Sequence, residues 1–132
     1  MTLLDEVLTL FEAKKFIDAR RLLTELLQDN EMKNEAQLWV LLASACSVLR
    51  DFDAALAAYH TAAEKIPGSP EIRLGLANEL LSSRAPAEKI QEVLKREPKL
   101  EPSTHLKRSW LSLRKALRQQ YPEHSWELDL KQ

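Results

Sequence analysis

The chain has 132 residues, of which 45% are apolar and 30% charged, with a formal net charge of −1. A chain this long hides roughly two thirds of its unfolded surface on folding, enough for one domain with a real core. Two glycines cannot build a phosphate-cradling loop, one cysteine cannot form an internal disulfide, and no run approaches the ~18 apolar residues of a membrane span.

Three Phe and two Gly give a sheet protein little to work with, whereas Leu, Ala, Glu, Lys and Arg form helices readily, so an all-α fold is expected. Asp5 and Glu6 stand where a secretory leader would need basic residues, and the lone Cys46 suits a reducing compartment, so a cytoplasmic location is expected.

In chain order, Leu3, Leu4, Val7, Leu8, Leu10 and Phe11 recur at three and four, which predicts an amphipathic helix over about 2–13 with Thr2 as its N-cap. After a break at Lys14-Lys15, Phe16, Ala19, Leu22, Leu23, Leu26 and Leu27 form a second helical stripe. Asp29 to Asn34 reads as a polar loop. Trp39, Leu42, Ala43 and Cys46 then predict a helix from about 34 to 49, and Ala55, Tyr59 and Ala62 one from about 53 to 65. These two should be antiparallel, with small Ala43 and Ala55 admitting a close approach and Trp39 in the core.

Pro67-Gly68-Ser69-Pro70 ends one helix and opens the next, which carries Leu76, Ala77 and Leu80. Its partner is shorter: Ile90, Val93 and Pro98 answer Tyr59, Ala62 and Pro67 only if three residues are deleted near Ser82 to Ala85, which predicts an altered turn and a helix from Pro86 to about Arg96. A last helix over about 103–120 has Leu106, Trp110, Leu113 and Leu117 on one side and Lys107, Arg108, Arg114, Lys115 and Arg118 on the others. In the tail at 122–132, Trp126, Leu128 and Leu130 alternate with acids, which reads as extended.

The spacing Trp39, Leu42-Ala43, Cys46, Ala55, Tyr59, Pro67 resembles the 34-residue tetratricopeptide repeat, with Ala43 and Cys46 where Gly and Tyr are usual. Phe16-Ile17-Asp18-Ala19 aligns with Phe52-Asp53-Ala54-Ala55, so the preceding pair reads as a degenerate copy with two extra residues before Trp39. The resemblance implies three repeats, at about 2–35, 36–69 and 70–100, and a capping helix at 103–120. Together these make one domain over 1–121, a right-handed solenoid of about seven antiparallel helices.

In that family the first helix of each repeat lines a concave groove that receives a peptide or helix from a partner. The matching positions are Leu4 and Leu8, then Val40, Ser44 and Val48, then Leu74, Asn78 and Leu81. This groove is apolar, so the resemblance implies a non-enzymatic adaptor or small chaperone for an apolar peptide or amphipathic helix. In size and groove character the chain is similar to bacterial chaperones that hold secretion-system subunits before export.

Two alternatives remain open: a self-assembling scaffold or homodimer built through Trp110 and the tail, and an acidic partner, or less well a nucleic acid, on the basic patch Lys107, Arg108, Arg114, Lys115 and Arg118. His60, His105 and His124 lack a second ligand at metal spacing, and Cys46 reads as a small buried apolar residue. No catalytic, cofactor or metal residue is expected.

Overall fold

The structure, a computed structural model, describes residues 2–95 and 104–126. Among these residues there are seven α-helices, one 3-10 turn and no strand. The helices are α1 (Leu3–Glu12), α2 (Phe16–Leu26), α3 (Ala36–Val48), α4 (Phe52–Lys65), α5 (Pro70–Ser82), α6 (Ala87–Leu94) and α7 (Thr104–Gln120). Where one domain is expected, the chain divides into two compact units, Met1–Ile66 and Pro67–Gln132. The division falls beside Gly68, whose φ of 84° suits a residue without Cβ.

In the first unit α1 opens on a capping box: the Thr2 hydroxyl accepts from the Asp5 amide, and the Asp5 carboxylate accepts from the Thr2 amide at 3.0 Å. Val7, Leu23, Leu26, Leu27 and Leu38 make the core, with Trp39 packed against it. Trp39 is half-buried rather than sequestered, because its indole N–H reaches out to the Lys33 carbonyl at 2.8 Å. The loop before α3 holds the 3-10 turn Met32–Asn34, entered through the Asp29 carboxylate, which accepts from the amides of Glu31 and Met32. The α3–α4 pair is a seam of small side chains, with Ala43, Cys46, Ala55, Ala58 and Ala62 all buried, and these two helices make the most extensive contact of any pair.

In the second unit, Pro70 stands in the first turn of α5 and Ser69 caps it. This helix buries most of its circumference, including Arg73 and Glu79, and leaves only the side of Glu71, Asn78 and Ser82 exposed, so its helical periodicity is blurred. The third hairpin, α5–α6, buries Ala87, Ile90, Val93 and Leu94. Leu106, Trp110, Leu113 and Leu117 of α7 are buried as expected of a covering helix. Its principal helix contact is α5, the first helix of the third hairpin.

What returns to α6 is the segment after α7. Gln91 donates to the Ser125 carbonyl at 3.1 Å, and His124 Nε2 lies 3.3 Å from the Glu88 carboxylate. Trp126 is only 3% exposed, against Tyr121 and His124. Residues 122–126 therefore form a folded turn where an extended tail is expected, and Leu128 and Leu130 lie outside the described residues.

The three hairpins share one detail. Lys14, Arg50 and Arg84 have φ of 60°, 64° and 59° and follow the first helix of each pair. In each case that residue's amide and the next one donate back to the helix. Lys14 and Lys15 bond Phe11 and Leu10, Arg50 and Asp51 bond Ser47 and Cys46, and Arg84 and Ala85 bond Leu81 and Leu80. This is the Schellman cap, with a basic residue where glycine is usual. Arg84 follows Arg50 by the 34 positions of the ideal period, so the third turn is unaltered. The missing residues fall after it, where Pro86 becomes the N-cap of α6.

Candidate functional site

The expected groove residues fall into two sets, one per unit. In the first unit Leu4 and Leu8 sit one turn apart on α1 with 41% and 43% of their surface exposed, and Val48 on α3 is 54% exposed. Val40 and Ser44, on the preceding turns of α3, are half-buried, and the Ser44 hydroxyl is used locally, donating to the Val40 carbonyl at 3.0 Å. These apolar groups are exposed on helices that bury Val7, Ala43 and Cys46 within their own unit.

In the second unit Asn78 is exposed, but Leu74 and Leu81 are buried. Leu74 is not a freely accessible groove residue. It lies at the bottom of a cavity of about 630 Å³ between α5 and α7, together with Leu106 and Leu113. The rim combines Glu71 and Asn78 of α5 with His105, Arg108, Ser109 and Ser112 of α7. Sequence reasoning assigned α7 a covering role and missed His105, Ser109 and Ser112 as lining residues. Their only signal was position, since they stand beside the buried stripe of α7.

The five basic residues of α7 stand in different surroundings. Arg108 lines the cavity, Lys107, Lys115 and Arg118 are exposed without lining it, and Arg114 is half-buried. Among the described residues no group of three or more His, Cys, Asp or Glu could hold a metal ion, and no helix is long and apolar enough to cross a membrane. Cys46 is buried.

Two exposed carboxylates are electrostatically perturbed. The Thr2 amide and then its hydroxyl hold the Asp5 carboxyl below the usual range, while Glu88 is lowered by its own backbone amide and then by His124. Both effects belong to local structure, one at a cap and one at the returning C-terminal segment.

Two antiparallel hairpins in the first unit and a third in the second, with identical caps at their turns, form a helical-repeat pattern. The family model for the tetratricopeptide repeat matches residues 36–79, from the start of α3 into α5. Residues 36–79 thus carry a tetratricopeptide repeat. The likeness of fold extends beyond the matched segment. The crystal structure of the Yersinia enterocolitica type III secretion chaperone SycD, in complex with a peptide of the translocator YopD, is similar with a TM-score of 0.71 and 16% identity. The similarity covers 92% of this chain and 91% of that one. No curated protein matches the chain in sequence. A tetratricopeptide-repeat fold is a scaffold for protein interaction.

Proposed function

We propose that this protein is a non-enzymatic adaptor or small chaperone that takes an apolar peptide or amphipathic helix on the groove-side helices of its repeats. The observation that carries this reading is the exposure of Leu4, Leu8 and Val48 at groove positions of the first unit. Exposed apolar side chains at groove positions are what a partner-binding surface requires. The SycD structure holds a peptide of its translocator, and a partner segment on the groove face here would be the corresponding arrangement.

The scaffold reading loses its anchors. Trp110 is 5% exposed and Trp126 3% exposed, so both rings are already spent inside the second unit. Leu74 is unsuitable as a site for a test charge, because a carboxylate there would be buried and would damage the fold. The discriminating variant is Leu8→Glu with Val48→Glu, both at exposed positions. It should keep the helical circular dichroism of the parent and lose binding to apolar and amphipathic peptides selected on the parent from a displayed library. Unchanged affinity would place the binding face elsewhere.

A further inference from the structure

The cavity between α5 and α7 differs in chemistry from the apolar face of the first unit. Its floor is apolar: Leu74, Leu106 and Leu113 are 7%, 1% and 6% exposed, and Gly75 and Ala116 leave the space above them open. Its volume of about 630 Å³ lies within the range of ligand sites. The rim is polar and its charge is one-sided on α7, which carries five Lys or Arg and no Asp or Glu from Thr104 to Gln120. Of these, Arg108 reaches the cavity from an exposed position, across from the exposed amide of Asn78.

From this geometry we propose that the α5–α7 cavity is a second binding site, and that it takes a segment of a partner protein in which a bulky apolar side chain adjoins an aspartate or glutamate. The inference rests on the protein-interaction reading above and adds a location and a chemistry to it. The apolar side chain fills the floor over Leu74, Leu106 and Leu113. The adjoining carboxylate meets the Arg108 guanidinium, whose planar fork matches it with two parallel hydrogen bonds. Asn78, Ser109 and Ser112 supply donors and acceptors for the backbone of the segment. The unbroken positive charge of α7 favours an acidic partner and disfavours a basic one. A nucleic acid fits less well, because the floor is aliphatic and no Phe, Tyr or Trp lines the cavity as a platform for base stacking.

The experiment is a selection of random displayed heptapeptides on the full chain, followed by calorimetric titration of the winners against the parent, Arg108→Glu, Arg108→Gln and the Leu8→Glu/Val48→Glu variant. Arg108 is exposed, so both its variants should keep the parent's helical circular dichroism. The expected winners include a class in which Asp or Glu adjoins Leu, Ile or Phe. Their affinity should fall about tenfold or more in both Arg108 variants, as loss of a charged hydrogen bond implies, and hold in the Leu8/Val48 variant. Winners without acidic enrichment, or affinities indifferent to Arg108, would overturn the cavity assignment. If binding then depended on Leu8 and Val48, the interaction reading would stand without it. No enrichment over background would remove both. A single-stranded oligonucleotide that bound in an Arg108-dependent manner and displaced the peptides would replace the protein ligand with a nucleic acid.

Discussion

The Tyr121 hydroxyl donates a 2.6 Å hydrogen bond to the backbone carbonyl of Ala85, in the turn between α5 and α6. It ties the end of α7 to the third hairpin across 36 positions of sequence, and Trp126 then closes over it with its indole N–H on the Tyr121 carbonyl at 3.2 Å. The turn after α7 is therefore part of the second unit. Trp126→Ala should cost about 3–5 kcal/mol, the usual loss for a buried Trp, while Tyr121→Phe should cost about 1 kcal/mol. Cutting the chain after Tyr121 should destabilise it as much as the Trp126 substitution. Urea unfolding followed by circular dichroism checks all three, and a truncated chain as stable as the parent would show that the turn contributes nothing.

Arg20 on α2 meets Asp51 at 2.9 Å, and the same Asp51 carboxylate N-caps α4 through the Ala54 amide. Both side chains are more than a third exposed, so the ion pair itself is worth at most about 1 kcal/mol. Arg20→Ala should therefore cost less than Asp51→Ala, which also removes a cap worth about 0.5–2 kcal/mol. Asp51→Asn keeps the cap and should behave like Arg20→Ala. Equal losses for Asp51→Asn and Asp51→Ala would mean that the cap is idle.

Lys14 and Arg84 hold left-handed backbone that costs a side-chain-bearing residue about 1–2 kcal/mol, partly offset by the extra unfolded-state freedom a glycine would bring. Lys14→Gly and Arg84→Gly should each raise stability by a few tenths to about 1 kcal/mol. Arg50→Gly should gain less, since the Arg50 guanidinium lies 5.2 Å from the centre of the Phe52 ring. Thermal midpoints of the three variants give the order directly, and a lowered midpoint for Lys14→Gly would contradict it.

Asp5 and Glu88 both have carboxyls held below their ordinary values in the folded chain. A depressed folded value means that the unfolded chain binds its proton first as pH falls. The stabilisation is therefore complete above the ordinary carboxylate range and is lost as pH drops through the lowered folded values. Carbon-detected titration of the two side chains should show both midpoints below the ordinary carboxylate range. Asp5→Asn and His124→Ala should each remove part of the acid sensitivity. A Glu88 midpoint unmoved by His124→Ala would show that its backbone amide acts alone.

The local code of this protein is legible residue by residue. Thr2 with Asp5, Ser69 with Pro70, and the small residues Ala43, Cys46 and Ala55 announce two caps and a close helix pair through propensity and spacing, which depend on neighbours only three or four positions away. The 34-residue period carried the family as well, because each hairpin repeats the same packing problem.

What spacing could not supply is the choice among equivalent surfaces. Leu4 and Leu74 occupy matching groove positions, yet Leu4 is exposed while Leu74 is buried, because burial depends on which distant element arrives to cover a face. The same holds for α7, whose apolar stripe is plain in sequence but whose partner, α5, is not. It holds too for Trp126, whose alternating neighbourhood reads as an extended tail until a turn brings the ring onto Tyr121 and His124. Periodicity by itself marked the inward stripe of helices such as α7. Only the tertiary structure decided what they turn toward, since a hydrophobic stripe carries no address, and the gain from burying it is nearly the same against any partner of matching shape.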